Sequence, residues 1–547
     1  MNKNDLTKSH VFTRILEIIP GALSISILLM PFVLAPIFPV FVAYFILIFN
    51  LYWFLKAINM MRHMINGFTH MWHDMKVDFL ERVKLASSNP KALEKKLKLQ
   101  YEKTGKRLDY NDWLEFSRLN GHYKTIKNWE DVYHVFFITN YQEEYYITES
   151  TYQAINDSNY PNDKIIIVSC GEKRDEAAYS IVKEQLKANF SDTFLDMHFY
   201  MHEVKPDEVI GKGGNLYSAM TKFYKTFSEK YPNIDPANVL CTTLDADHII
   251  HKEYIGALTY KHILDPDRDR KTYQPNVMMF NNIWDAPSPS RVVAVGSSFW
   301  QMVESMRPRR LRNFASHCQS LSTLLTTDFV SRHTIVEDGH QFWRTYFAFN
   351  GNHQMVPIYV PIYHDAVLGE NFWRTLGNQY KQQRRWAWGI SDLPFVIKEF
   401  MKHPEISFPE KFTQTFRLFW GHLTWSTAAF LLAFSWIPLL FNQAFQDTVL
   451  AHNVSIYSSI MLKLALVGLV ASAWLFFILL PPIPERLSKR KTIRYAGMLF
   501  QWIISPFVPI FLSSLPSLES HIRLMCGQSL NVFWSTPKVR GRDKDNS

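Results

Sequence analysis

Val239-Leu240-Cys241-Thr242-Thr243-Leu244, followed by Asp245-Ala246-Asp247, is the stretch on which the fold of this chain turns. A short apolar run closed by acids reads as a buried strand. Such a strand pushes two carboxylates out at its C-terminal edge, where open α/β sheets hold their ligands. Two hard oxygen donors one residue apart suit Mg²⁺ or Mn²⁺, and an ion held this way is usually shared with substrate phosphates.

Further apolar runs at 132–139, 164–169, 195–201 and 274–280 alternate with amphipathic stretches. That alternation predicts an α/β domain over 131–400 with a largely parallel sheet. Before it, 57–130 is polar, Lys-rich and helix-like, and is expected to be a helical connector at the membrane surface. Residues 1–56 hold two apolar spans, 15–35 and 37–55, each about long enough to cross a bilayer. Spans at 416–441, 461–482 and 495–515 fall in an interface and C-terminal membrane region, 401–520, which leaves a tail at 521–547.

Basic residues sort around these spans. Lys3, Lys8 and Arg14 precede the first pair; Lys56 and Arg62 follow it. The loop 442–460 has no Lys or Arg, whereas 483–494 carries Arg486, Lys489, Arg490, Lys491 and Arg494. The positive-inside rule then places the α/β domain and tail in the cytoplasm of a multi-pass protein of the plasma (inner) membrane. Pro506 and Pro509 interrupt 495–515, which favours a re-entrant or broken helix there. The formal charge of +9 is accounted for by this sorting, and no nucleic-acid signature accompanies it. Four cysteines in no metal-binding or paired spacing argue against a disulfide framework. His63, His70 and His73 lie on one helical stretch and read as a solvated face.

Several motifs carry chemistry. Asp338, in Val336-Glu337-Asp338-Gly339-His340, is a candidate general base; an acidic pair opening a helix is the plainer reading, and the two are compatible. In Gln382-Gln383-Arg384-Arg385-Trp386, an arginine can grip a diphosphate and Trp386 offers a flat face to a sugar ring. In Gly211-Lys212-Gly213-Gly214-Asn215-Leu216, glycines permit close backbone approach and Lys212 brings charge, although the spacing is not that of a P-loop. Thr139-Asn140-Tyr141-Gln142-Glu143 follows the first strand, where Tyr141 can stack on a base and Glu143 can bond it.

Taken in order, Tyr141-Gln142-Glu143, Lys212-Gly213-Gly214-Asn215-Leu216, Asp245-Ala246-Asp247, Glu337-Asp338 and Gln382-x-x-Arg385-Trp386 resemble the family 2 glycosyltransferases. The likeness is to their membrane-embedded branch of cellulose, hyaluronan and chitin synthases. The resemblance implies a Rossmann-like GT-A domain in the cytosol, inserted between transmembrane helices. It implies an inverting hexosyltransferase that takes a nucleotide-sugar donor, a UDP-sugar, to a hydroxyl on a glycan or lipid acceptor. By the same resemblance, Asp245 and Asp247 bind metal and diphosphate, Asp338 is the base, and Gln382, Arg385 and Trp386 hold acceptor and diphosphate. Lys212, Tyr141 and Glu143 bind the donor, and Glu172 replaces an acidic pair usual after the second strand. Val336 stands where the family usually has Thr. Phe533-Trp534-Ser535-Thr536-Pro537-Lys538 resembles a C-terminal motif of some relatives.

The branch implies processive polysaccharide synthesis coupled to export, with Trp420, Trp425, Trp436, Trp474 and Trp502 as candidate linings of a path. Two alternatives stay open: transfer of one sugar to a lipid, and a transporter or scaffold with a vestigial transferase domain.

Overall fold

The computed structural model of the protein describes residues 9–119, 121–530 and 540. The motif at 533–538 lies outside the described residues. The chain divides into two units: Asn66–Met279 with Trp300–Asp365, and Met1–Ile65 with Phe280–Phe299 and Ala366–Ser547.

The first of these is the α/β unit. Its eight-stranded sheet has the order β3-β2-β1-β4-β7-β6-β8-β5. The strands are β1 Tyr133–Thr139, β2 Ile165–Glu172, β3 Asp196–His202, β4 Val239–Asp245, β5 Ile249–Ile250, β6 Lys271–Met278, β7 Cys318–Ser320 and β8 Gln354–Tyr363. β3, β2, β1 and β4 run parallel, as the alternation predicts. β7 is antiparallel to both β4 and β6, and β5 is antiparallel to β8, so the sheet is mixed.

β1, β2 and β4 are covered on both faces, which is why they read as continuous apolar runs; β3, at the end of the sheet, is half-buried. Alternate residues serve opposite faces. Phe136, Ile138, Ile165, Ile167, Leu240 and Leu244 join one core cluster. Val135, Phe137, Ile166, Val168 and Cys241 join the other, against Leu216, Phe223 and Phe227 of the helix Lys212–Lys230. Each such side chain, fully buried, contributes about 1.5–3 kcal/mol.

The stretch expected to be a connector contributes to the first cluster. Phe79, Val83, Leu93, Leu97 and Phe116, from the helices Phe79–Ser88, Pro90–Thr104 and Arg107–Ser117, are buried in it. His70 and His73 are not a solvated face. The His70 ring lies 4.6 Å from that of Tyr359, and His73 bridges Asp74 at 3.0 Å and Asp109 at 3.3 Å. Cys170, Cys241 and Cys318 are free and buried.

β8 was not expected as a strand. Pro357 and Pro361 argue against a strand interior, because proline cannot donate to the ladder. The ladder accommodates them at a register shift: Pro275 pairs with Ile358 and Asn276 with Pro361. Asn276 Nδ2 donates to the Tyr359 carbonyl at 3.3 Å within that irregularity.

The other unit is helical. Among the described residues, four helices are long and apolar enough to cross a membrane: His10–Leu34, Pro39–Asp74, whose last residues from Asn66 belong to the α/β unit, Phe408–Leu440 and Val449–Leu479. The stretch 495–515 is broken into pieces, ending in a π-turn, Ile510–Ser514, that runs into the helix Leu515–Met525. Gly21 of the first helix lets that last helix approach; a Cβ there would meet the His521 carbonyl at 2.8 Å.

Candidate active site

β4 lies between β1 and β7, and its last residue, Asp245, is half-buried at the sheet's carboxyl edge. The chain then turns. His248 N–H donates to the Asp245 carbonyl at 3.1 Å, and the Ala246 carbonyl accepts from Thr151 Oγ1 at 2.7 Å. The turn buries Asp247 and His248 completely. Asp247 Oδ2 accepts the Asp365 N–H at 2.9 Å.

Lys212 opens the helix Lys212–Lys230 and puts Nζ 2.6 Å from Asp245 Oδ1. Burial pulls the Lys212 pKa down, but Asp245, Glu337 and Asp338 outweigh it and leave the ammonium above its ordinary range. Lys212 is therefore a fixed cation among three carboxylates. The glycines after it serve packing. A Cβ on Gly213 would sit 2.4 Å from the Ser331 carbonyl and 3.3 Å from Glu337 Cβ; one on Gly214 would sit 3.1 Å from His202. Those contacts bring the helix start against the Glu337-Asp338 segment, and Asn215 Nδ2 ties it to the Cys170 carbonyl of β2 at 3.0 Å.

Glu337 and Asp338 form the first turn of the helix Glu337–Ala348, where negative charge is favourable. Glu337 is buried, while Asp338 is half-buried and accepts the Gly339 N–H at 2.7 Å. His317, inside the same cluster, is held well below its ordinary pKa by burial, with Asp338 opposing and Lys212 adding to the effect.

The loops after β1 and β2 interlock. The Arg174 guanidinium lies 4.5 Å from the centre of the Tyr141 ring and its Nε donates to Glu172 Oε2 at 2.8 Å. Asp175 Oδ2 accepts the Gln142 N–H at 2.7 Å, where Gln142 has a φ of 65°. Glu143 accepts the N–H of Tyr141, so it caps its own loop.

Gln382, Arg385 and Trp386 belong to the helical unit, on the helix Phe372–Ala387, and all three are half-buried. Gln382 Oε1 accepts from Gln379 at 3.0 Å. Arg384 is committed to Glu519 at 2.7 Å, which also accepts from Tyr380 and Arg523 at 2.7 Å.

Three residues of the cluster carry no signal in the sequence: His248, Ser316 and His364. His248 offers a nitrogen that, with oxygens of Asp245 and Asp247, forms a group of atoms all within 4.8 Å of one another. Two hard carboxylates at that spacing fit Mg²⁺ or Mn²⁺.

No family model matches the chain, and no curated protein matches it. Among solved structures, it is similar to a mannosyltransferase from Pyrobaculum calidifontis in complex with GDP-Man and Mn²⁺, at 13% identity and a TM-score of 0.33 over 77% of this chain and 98% of that one. It is similar to S. aureus TarS 1–349 in complex with UDP-GlcNAc, at 11% identity and a TM-score of 0.30, over 69% and 91%. A third is GalNAc-T7 with UDP, GalNAc and Mn²⁺, at 11% identity and a TM-score of 0.30, over 52% and 56%. Likenesses this loose assign no role to any residue.

Proposed function

We propose that this chain is a membrane-associated inverting glycosyltransferase. It moves a hexose from a nucleotide-diphosphate sugar, a UDP-sugar, to a hydroxyl acceptor, and repeats the transfer to build a polysaccharide. The observation that carries the reading is one cluster at the carboxyl edge of β4: Asp245, Asp247 and His248 with donor atoms within 4.8 Å, and Lys212 among Asp245, Glu337 and Asp338. The ordered motif set supports the finer statements of donor and repeated addition.

In this reading, Asp245 and Asp247 hold Mg²⁺ or Mn²⁺, which when bound neutralises charge on the departing diphosphate. Lys212 adds a fixed positive charge beside it. The Tyr141–Arg174 stack, with Glu172 and Glu143, presents a flat, polar-edged face to a nucleobase. Asp338 takes the acceptor proton while the acceptor oxygen bonds to the anomeric carbon. The bond from that carbon to the diphosphate breaks on the opposite face, and the diphosphate leaves with its electron pair. Gln382, Arg385 and Trp386 hold the acceptor end and the diphosphate. The four long apolar helices keep the enzyme at the bilayer, with the α/β unit in the cytoplasm.

Membranes containing the protein, incubated with a panel of labelled UDP- and GDP-sugars and Mg²⁺ or Mn²⁺, test the reading. A labelled, metal-dependent polymer from one UDP-sugar is the expected outcome. A single-sugar lipid product removes repeated addition, and no incorporation from any donor removes the transferase.

A further inference from the structure

Proximity alone would make His248 the third ligand of the ion, because its nitrogen is grouped with oxygens of Asp245 and Asp247. The hydrogen bonds around the ring say otherwise. We infer that His248 positions the two carboxylates as a hydrogen-bearing neighbour and does not ligate the ion. The inference rests on the metal-binding reading above.

The argument begins in the ladder. Thr243 N–H donates to the His317 carbonyl at 3.2 Å, beside the last paired residue of β7. The next N–H of β4 on that side belongs to Asp245, and β7 offers no carbonyl there. His248 Nδ1 fills the place, accepting the Asp245 N–H at 3.0 Å. A backbone N–H only donates, so Nδ1 must present its lone pair. In a neutral imidazole the proton then sits on Nε2. A nitrogen that carries a proton has no lone pair for a cation. Ligation through Nε2 would need the proton on Nδ1, donated to a carboxylate, a carbonyl or water, as ligating histidines normally arrange. Here Nδ1 meets a backbone N–H and a hydroxyl.

That hydroxyl extends the arrangement. Ser316 Oγ lies 3.0 Å from His248 Nδ1 and 3.0 Å from His364 Nε2, and the two rings stack with centroids 3.4 Å apart at 9°. Ser316 has a φ of 70°, a conformation that costs energy and persists only where its surroundings hold it. His364 is anchored to β6 by its N–H to the Met278 carbonyl at 2.8 Å. One assignment runs through all of them: His364 Nε2–H donates to Ser316 Oγ, the Ser316 O–H and the Asp245 N–H share the single Nδ1 lone pair of His248 as a three-centre bond, and His248 Nε2–H points toward the acids. Nε2 stands 3.4 Å from Asp245 Oδ2 and 4.0 Å from Asp247 Oδ1. Those distances are long for hydrogen bonds but short enough for the N–H dipole to offset repulsion between two facing carboxylates.

The test loads the full-length protein with Mn²⁺, prepared with ordinary or with isotopically nitrogen-labelled histidine, and records the electron spin-echo envelope. Bound Mn²⁺ with no isotope-sensitive coupling from a directly ligated nitrogen is expected. Such a coupling overturns the inference, since among the described residues His248 is the histidine grouped with both carboxylates. Signal from free aqueous Mn²⁺ alone overturns the metal site itself, and the inference falls with it. In a second arm, Ser316→Ala leaves the imidazole and both carboxylates in place. Its Mn²⁺ affinity should fall by up to about 10-fold, the lower end of what loss of a partner bonded directly to a ligand costs, because the Asp245 N–H still holds Nδ1. Unchanged affinity overturns the relay.

Discussion

Asp338 shows how much a single residue can carry and how it can be separated from its neighbours. Its Oδ1 accepts the Gly339 N–H, and an amide oxygen can accept the same bond. Asp338→Asn therefore keeps the local geometry and removes only the ability to take a proton. The expected loss in kcat is about 10²–10⁴-fold, the usual contribution of a positioned base. Mn²⁺ affinity, read by paramagnetic resonance on the same preparation, should stay the same; a fall in both would make Asp338 a structural acid. The position of the Asp245–Asp247 pair is legible because the two acids close a continuous apolar run, whereas Glu337-Asp338 alone reads only as a helix start. His248, Ser316 and His364 are not legible. Nothing in the chain says that a histidine will replace a ladder carbonyl, because that depends on where β7 stops, and β7 is a three-residue strand of mixed polarity.

At the scale of elements, burial on both faces makes β1, β2 and β4 readable, whereas shortness and proline hide others that are buried as well. β1, β2 and β4 are buried along nearly their whole length and read as apolar runs, while β3, at the end of the sheet, is half-buried and of mixed polarity. β5 and β7 are too short to show a period, and β8 is masked by its two prolines. Losing β8 also hid His364 and Asp365, which follow its last residue and hold Ser316 and Asp247. The helix Lys212–Lys230 was legible only in part. The glycine-rich stretch reads as a phosphate-binding turn, yet it forms the helix's first turn, and the missing side chain of Gly213 makes room for a backbone carbonyl. Gly213→Ala should therefore cost about 1–3 kcal/mol, because the 2.4 Å approach to the Ser331 carbonyl cannot be relieved by a side-chain rotation. Thermal unfolding of the detergent-solubilised protein checks it. Gly296→Ala, in the helix Ser288–Ser305 with nothing within 4 Å of its Cβ, should leave the melting temperature level or raise it. Equal effects at the two positions would mean that the Gly213 contact is not a packing constraint.

Over the whole molecule, the apolar helices were legible from composition alone. The depth of the α/β core was not, because its polar members look like surface residues in the sequence. His134, on β1, and His262 are buried and hydrogen-bonded to Thr259 at 2.8 Å and to Tyr273 at 3.1 Å; His353 is buried against the Arg270 carbonyl at 2.8 Å. Burial pulls His134 and His262 from the ordinary 6.5 to about 3, and His353 to about 4. All three folded values lie below the unfolded one, so between them the unfolded chain binds more protons than the native protein. Stability is then full above about pH 6.5 and falls as the pH drops, levelling only below the folded values. At about pH 5 each histidine costs about 2 kcal/mol, which is large against the marginal stability of a folded domain. The α/β unit should accordingly melt earlier by many degrees at about pH 5 than at neutral pH, followed by circular dichroism or tryptophan fluorescence. His134→Gln, which keeps a donor for Thr259 and cannot titrate, should flatten part of that slope. A melting temperature level between those two pH values would show that these histidines titrate in the folded state as they do in water, and that water reaches a core which the packing closes.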